Sequence, residues 1–224
     1  MAHPPLVSVV VPVLNDAVAV AHLFAHVPPS PQFEMLLVDG GYDEELDRLA
    51  GSRPNVRLIR TAAGRGIQMN AGARLSSADW LLFLHADSQL PFGWLDRLMA
   101  CDSHVLGGWF RFALDDTAWQ ARMVEHAVAW RVRLFQLPYG DQGLFVRRLV
   151  FESLGGYREL PIMEDVEFVR RLTRAGPVTE IPLPLATSSR RWRRDGWLRR
   201  SARNMALAGL YFLGVSPSRL ARWR

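Results

Sequence analysis

The chain is 224 residues long, with 49% hydrophobic and 22% charged residues. These proportions are typical of a globular protein with a sizeable core and exclude a disordered or collagen-like chain, and no apolar run reaches the roughly 20 residues of a bilayer span. The single cysteine, Cys101, excludes an internal disulfide, and no Cys/His cluster predicts structural zinc.

Charge is unevenly distributed along the chain, whose formal net charge is +5. All 27 basic side chains are arginine, and ten of them lie between Arg190 and Arg224, where Asp195 is the only acid. Such a tail suits anionic lipid or a phosphorylated ligand. No helix-turn-helix, zinc-finger or RNP motif accompanies the arginines, so we expect no nucleic-acid partner. The N-terminal Met-Ala-His-Pro-Pro lacks a basic leader, which predicts a cytoplasmic protein.

The first half of the chain alternates short apolar runs with helical patterns, which predicts βαβ units and a mostly parallel sheet. Strands are predicted over residues 6–13, 34–38, 56–60 and 80–84, and helices after Asp16, Asp43 and Gly64. Pro12 is expected near the carboxyl end of the first strand, because proline cannot donate a hydrogen bond at a central ladder position.

The second half is less regular. We predict a strand over residues 105–114, a helix over 117–137, a loop over 139–143 followed by a short strand, and helices over 165–175 and 197–213. No repeat or low-complexity linker interrupts the chain. The sequence therefore predicts one α/β domain, residues 1–186, followed by a basic C-terminal helical arm, residues 187–224.

Polar clusters follow several of the predicted strands. Asp39 precedes two glycines, Arg65 and Gln68 open a helix, and His85 and Asp87 follow the apolar run WLLFL. Because ligands of open α/β sheets bind beyond the carboxyl ends of the strands, we expect these clusters to share a pocket. Asp39 is suited to binding ribose or a base, and the alternative is an ordinary acidic turn.

Two carboxylate positions suggest catalysis. Asp87, with His85, is suited to holding Mg²⁺ or Mn²⁺ rather than zinc, because no thiolate is nearby; the alternative is a turn cap. Glu164 and Asp165 start a helix, where the dipole keeps a carboxylate ionised and able to accept a proton; the alternative for Asp165 is an N-cap. Arg65 at a helix start suits phosphate, or is simply solvated.

Taken in order, these segments resemble the family-2 glycosyltransferases of the GT-A fold. The resemblance rests on VSVVVPVLND (7–16), LLVDGGYDE (36–44), GRGIQMNAGA (64–73), LLFLHADSQLP (81–91), YGDQGLFVRR (139–148) and IMEDVEF (162–168). It covers roughly residues 6–215 and is nearest to a bacterial subgroup associated with radical-SAM and selenodomain proteins. The implied fold is a mostly parallel, Rossmann-like sheet flanked by helices.

The resemblance also implies an activity, which is transfer of a sugar from a UDP- or GDP-linked donor to an acceptor hydroxyl with inversion. It implies a metal site for Mg²⁺ or Mn²⁺ at Asp87 and His85, with Asp165 as general base supported by Glu164. It implies a donor nucleotide site lined by Pro12, Asn15, Asp39, Arg65, Gln68 and Asp87. It implies acceptor-side residues Asp141, Gln142, Arg190, Arg191 and Trp192.

The sequence departs from the family pattern at three positions. His85 stands where the metal motif has its first aspartate, Asp16 where glutamate is common, and Tyr42 where a small hydroxyl residue is common. The departures at His85 and Tyr42 favour a second hypothesis, a nucleotide-sugar or lipid-surface binding protein without turnover. A third, a sugar-1-phosphate nucleotidyltransferase, is disfavoured because the chain has no lysine for a phosphate-gripping loop.

The arginine-rich last helix mixes basic and large apolar residues. This composition suits an anionic membrane surface, which would make the protein peripheral on the inner face of the membrane. The alternative is packing of the helix on the domain or on a second subunit of a homodimer.

Overall fold

The computed structural model describes residues 5–223; Met1 to Pro4 of the predicted leaderless N-terminus, and Arg224 of the basic tail, lie outside the described residues. The strands are β1 Val7–Val13, β2 Phe33–Asp39, β3 Val56–Arg60, β4 Trp80–Phe83, β5 Ser88–Gln89, β6 Gly107–Leu114, β7 Leu144–Arg147 and β8 Val178–Thr187. The helices are α1 Ala17–His26, α2 Glu45–Gly51, α3 Arg65–Arg74, α4 Trp94–Met99, α5 Trp119–Phe135, α6 Arg148–Ser153, α7 Glu164–Ala175, α8 Arg190–Asp195, α9 Trp197–Phe212 and α10 Pro217–Leu220.

Within residues 5–223 these strands form one eight-stranded sheet in the order β3-β2-β1-β4-β7-β6-β8-β5. Strands β3, β2, β1 and β4 run parallel to one another, as the βαβ pattern predicted. Strand β7 joins β4 antiparallel, and β6 joins β7 antiparallel. The chain leaves β1 to one side for β2 and later returns on its other side with β4, which creates the crevice where such sheets bind ligands.

Strand β8 is the main element that the sequence analysis does not predict. Eight of its ten residues pair in parallel with β6, and the register shifts between Phe110, which faces Ile181, and Arg111, which faces Pro184. Prolines at 182 and 184 hide the strand in the sequence, because proline normally excludes an interior strand position. The irregularity at this point is how the ladder accommodates them.

The sheet buries both faces, as the continuous β-branched run of β1 predicted. Val9 and Val11 pack on one side with α1, α2 and α4, and Val10 packs on the other with α3, α6 and α7. Pro12 lies at the carboxyl end of β1, beyond Val10, the last residue of that strand paired with β4. This packing fixes the strand ends from which the polar loops project.

The basic C-terminal segment packs on the rest of the chain. Leu207 of α9 and Leu220 of α10 join a core cluster with Ile162 and Val166, beside the start of α7. Leu198 and Met205 of α9, and Leu213 directly after this helix, are exposed. No helix within residues 5–223 is long and apolar enough to cross a bilayer.

Candidate active site

Two adjoining cavities open at the carboxyl ends of β1 and β4. The first, called here the acidic cavity, has a volume of about 140 Å³, and the residues that define it are Arg65, His85, Asp87, Asp141 and Asp165. The second, called here the strand-end cavity, has a volume of about 370 Å³, and the residues that define it are Pro12, Leu14, Gly64, Gln68 and Pro161. Both cavities are also lined by Arg65, His85, Asp87 and Arg191. The loops following β1, β3 and β4 therefore meet in one place.

The loop after β4 holds His85 and Asp87 at this junction. The N–H of Leu84 donates to the carbonyl of Val10 at 3.0 Å, and the N–H of Ser188 donates to the carbonyl of Asp87 at 3.0 Å. Burial, and then the positive charge of Arg65, lower the pKa of His85 to about 4. The imidazole is therefore neutral at pH 7, with its lone pair free to bind a metal or accept a hydrogen bond.

Asp165 lies in the first turn of α7, as the sequence predicted for a carboxylate at a helix start. Its Oδ2 accepts a hydrogen bond of 2.7 Å from the N–H of Gly140, and its Oδ1 accepts one of 2.8 Å from the N–H of Val166. These two bonds fix the orientation of the carboxylate. A Cβ added to Gly140 would lie 3.2 Å from Asp165 Oδ2 and 3.2 Å from His85 Nε2, so both side chains lie against this backbone.

Glu164 faces Arg65 rather than an open cavity. The Nε of Arg65 lies 2.5 Å from Glu164 Oε1, and Glu164 is 1% exposed. Burial and the neighbouring charge of Asp165 raise the pKa of Glu164. Burial alone would lower the pKa of Arg65, but Glu164, Asp165 and Asp141 together raise it. The pair fixes the position of a permanently charged guanidinium that lines both cavities.

Asp141 adds a third carboxylate to the acidic cavity. Its Oδ1 is buried without a hydrogen-bond partner among the described residues. Burial raises the pKa of Asp141 to about 6, opposed by Arg131 and assisted by the charges of Asp165 and Asp87. An unpartnered acceptor at this depth is a group that a ligand can satisfy.

Some predicted site residues act inside the protein rather than at a cavity surface. Asp39 is fully buried, with one carboxylate oxygen accepting from the N–H of Gly41 at 2.7 Å and the other from that of Asp43 at 2.9 Å. It does not line either cavity, which corrects the expectation that it would face the shared pocket. The physical reason is that backbone donors of its own turn use both oxygens. Asn15 is exposed, its side chain lies beside Gly41, and it does not line either cavity.

The two glutamines predicted at the site, Gln68 and Gln142, are also hydrogen-bonded to backbone carbonyls. Gln68 Nε2 donates to the carbonyls of Val13 and Val38, both at 2.7 Å, so the residue borders the strand-end cavity while tying β1 to β2. Gln142 is 1% exposed, and its Nε2 donates to the carbonyl of Phe110 at 3.3 Å. An amide used in this way does not reach a ligand hydroxyl, so the acceptor role predicted for Gln142 does not fit the structure.

The arginine-rich segment closes the site from the C-terminal side. Arg191 lines both cavities, while the guanidinium of Arg190 pairs with Asp16 at 3.0 Å. Trp192 is buried against Phe112 and also reaches the acidic cavity. Two residues of α9 that were not predicted at the site, Arg200 and Arg203, line the same cavity. The high arginine content of the C-terminal segment was the only sequence feature that pointed to them, and the position of α9 in the fold was needed to assign them to this cavity.

The residues at the junction fit a divalent cation of the Mg²⁺ or Mn²⁺ type. Within residues 5–223 no three His, Cys, Asp or Glu side chains are grouped to enclose an ion. Mg²⁺ at phosphate sites typically takes only one or two carboxylates, and phosphate oxygens and water complete the set. Asp87 supplies one such carboxylate beside the imidazole of His85, and the unpartnered Oδ1 of Asp141 is a second oxygen donor in the acidic cavity.

The fold is shared with solved glycosyltransferases. A mannosyltransferase from Pyrobaculum calidifontis, solved in complex with GDP-Man and Mn²⁺, matches with a TM-score of 0.68 at 17% identity, covering 98% of this chain and 69% of that chain. TarS from S. aureus, solved in complex with UDP-GlcNAc, matches with a TM-score of 0.64 at 16% identity, covering 81% of this chain and 58% of that chain. The α/β sheet and its flanking helices are therefore those of the GT-A glycosyltransferase fold, as the sequence predicted.

The amino-acid sequence also identifies the family of this chain. The model of glycosyl transferase family 2 matches residues 8–153, and the chain belongs to that family. It is also 35% identical over 94 residues to PGL/p-HBAD biosynthesis glycosyltransferases of Mycobacterium bovis and Mycobacterium tuberculosis. That match spans 38% of this chain and 37% of those relatives. The resemblance to the radical-SAM and selenodomain-associated subgroup stays a prediction.

Proposed function

We propose that this chain transfers a sugar from a UDP- or GDP-linked donor to an acceptor hydroxyl, with inversion at the anomeric carbon. The observation that carries the proposal is the meeting of Asp87, Asp165 and Arg65 in one cavity at the carboxyl ends of β1 and β4. Membership of glycosyl transferase family 2 supports the reaction class. Neighbours solved with GDP-Man and UDP-GlcNAc support the donor class.

The strand-end cavity is the proposed nucleotide site. Its volume of about 370 Å³ lies in the range of small-molecule sites. Pro12 and Gly64 supply its backbone walls, and Arg65 and Arg191 lie where it joins the acidic cavity. Two arginines at this junction suit the diphosphate of a donor whose sugar then lies beside Asp165.

Asp87, with His85, would hold the divalent cation at the same junction. When bound, such a cation supplies charge neutralisation on the nucleoside diphosphate that leaves. Arg65 contributes a second positive charge, which Glu164 keeps in place through the buried ion pair. Glu164 is thereby proposed as a positioning residue rather than as a proton carrier.

Asp165 is the proposed general base. It takes the proton from the acceptor hydroxyl while that oxygen bonds to the anomeric carbon, and the bond from this carbon to the diphosphate oxygen breaks on the opposite face. The electron pair of the broken bond leaves with the nucleoside diphosphate. The Gly140 and Val166 N–H groups orient the carboxylate before the reaction.

The basic C-terminal segment carries a second proposal, contact with an anionic membrane surface. Leu198 and Leu213 are exposed at the two ends of α9, and Arg199 is exposed beside Leu198. Exposed apolar and basic side chains on one helix are the combination that binds anionic lipid.

The substitution Asp165→Asn tests the proposed base. Turnover of a UDP- or GDP-sugar should fall by about 10² or more, because a positioned base typically contributes 10²–10⁴-fold. Binding of UDP or GDP, measured by calorimetry, should be preserved. Asp79→Asn, at the opposite end of β4, is the matched control and should leave both quantities unchanged. Unchanged turnover in Asp165→Asn would remove the residue from this role, and nucleotide binding without any product from the unmodified chain would favour a binding protein without turnover.

A further inference from the structure

A large apolar groove lies between α5 and α9, next to the acidic cavity. Its volume is about 740 Å³, and its walls include Val128, Leu134 and Phe135 of α5 and Met205, Ala208 and Phe212 of α9. Leu134 is 63%, Phe135 70% and Met205 68% exposed. Large apolar side chains grouped around a concave surface and left open to water mark a binding site rather than ordinary surface.

The groove is continuous with the proposed catalytic centre. Tyr139, Asp141, Trp192 and Asn204 line both the groove and the acidic cavity. Asp141 is adjacent in sequence to Gly140, whose N–H donates to Asp165. A molecule lying in the groove can therefore extend its end to the carboxylate that we propose as the base.

Polarity changes along this path from apolar walls to a polar end. Asp141 is the only acid lining the groove among the described residues. The two arginines of its lining cover aromatic rings, with Arg131 3.5 Å from the centroid of Tyr139 and Arg170 5.3 Å from that of Phe212. Most of the remaining lining is apolar, and three of its polar residues, Tyr139, Asp141 and Asn204, also line the acidic cavity.

We infer that this groove binds the apolar body of the acceptor, an amphiphilic alcohol whose terminal hydroxyl lies beside Asp165. The inference rests on the proposed function and names its acceptor class. The hydroxyl oxygen forms the new bond to the sugar, its proton passes to Asp165, and the nucleoside diphosphate leaves with the electron pair of the broken bond. A second copy of the chain could cover the exposed walls, but it would not account for their connection to Asp141.

Straight-chain alcohols from butanol to decanol provide a direct test of binding. They should displace the apolar dye 1-anilinonaphthalene-8-sulfonate, with affinity rising about fourfold for each added methylene until the chain outgrows the groove. The substitutions Leu134→Asn and Met205→Gln should each weaken octanol binding by about fivefold or more. Met123→Asn and Ala202→Gln, which change exposed apolar residues of the same helices outside the groove, are the matched controls.

A second measurement separates this inference from the proposed function. UDP and GDP binding, and slow release of nucleotide from a UDP- or GDP-sugar in water, should be equal in all four variants, while octanol should accelerate release only where the groove is intact. Intact nucleotide release with no alcohol binding would overturn the groove assignment alone. Absent release with intact alcohol binding would overturn the proposed function. Normal octanol binding by the groove variants would also overturn the acceptor assignment. So would a change from dimer to monomer in sedimentation, which would indicate a subunit interface, or a loss of vesicle binding alone, which would indicate a lipid surface.

Discussion

The substitution Gly140→Ala probes the site with a single methyl group. The added Cβ would lie 3.2 Å from both Asp165 Oδ2 and His85 Nε2, whereas non-bonded heavy atoms prefer separations of about 3.5–4.0 Å. One or both side chains must therefore move by several tenths of an ångström. Alanine suits the backbone at this position, because φ of Gly140 lies outside the left-handed region. The perturbation is thus confined to the proposed base and its neighbour.

The expected effect is on catalysis more than on stability. A displacement of about 1 Å in a reacting group lowers the rate by about 10²-fold, so a shift of about 0.3 Å should lower turnover by about fourfold. Lengthening the 2.7 Å bond from Gly140 N–H to Asp165 should lower the free energy of unfolding by about 1 kcal/mol at most. Nucleotide release from a UDP- or GDP-sugar measures the first effect, and urea unfolding measures the second.

Gly209→Ala is the matched control, because the same methyl group there meets no atom within 4 Å. Gly209 lies inside α9, where alanine is favoured over glycine by about 0.8–1.0 kcal/mol, so this variant should gain stability and keep full turnover. A Gly140→Ala variant that turns over as fast as the unmodified chain, or an equal loss of turnover in both variants, would contradict a role of Gly140 in positioning Asp165.

Three further predictions concern the metal, pH and lipid. Asp87→Ala should weaken UDP or GDP binding in calorimetry chiefly when Mn²⁺ or Mg²⁺ is present, and an equal loss with chelator would argue against a metal contact. The pKa of Asp141 is raised from 3.8 to about 6, so the folded state holds this proton more tightly than the unfolded state. The contribution of Asp141 to the free energy of unfolding is therefore most favourable below pH 3.8 and is lost as the pH rises through 6. Asp141→Asn should therefore raise the free energy of unfolding by on the order of 2 kcal/mol at pH 7–8 and add nothing by pH 4; the opposite pH dependence in urea titrations would contradict this. The chain should sediment with anionic vesicles, less so as salt rises, and absence of binding at low salt would exclude the lipid contact of α9.

Local sequence pattern was sufficient for most of the sheet. The apolar runs at 6–13, 34–38 and 56–60 correspond to β1, β2 and β3 within one residue at each end. Strand β8 escaped because its prolines contradict the local signal, and only pairing with β6 makes its conformation favourable. The short helix α4 escaped as well, since six residues carry too little periodicity to be recognised.

The residues of the candidate site were likewise only partly predictable from the sequence. Asp87 and Asp165 were predicted from their places at a strand end and a helix start, and both line the acidic cavity. Asp39 at the end of β2 and Gln142 in the loop before β7 were also predicted site residues, yet both are buried and hydrogen-bonded to backbone groups. Sequence shows which groups a side chain carries, but the partners that satisfy those groups are set by the fold.

The sequence by itself determined the alternation of strands and helices, the burial of β1 on both faces and the polar residues at strand ends, because these follow from periodicity and residue chemistry over a few positions. Only the tertiary structure decided that Arg200 and Arg203 of a distant helix would line the acidic cavity, and that α5 and α9 would leave an apolar groove leading to Asp141. The physical reason is that a cavity is the space left between elements far apart in the chain, so its shape depends on how their packed faces meet.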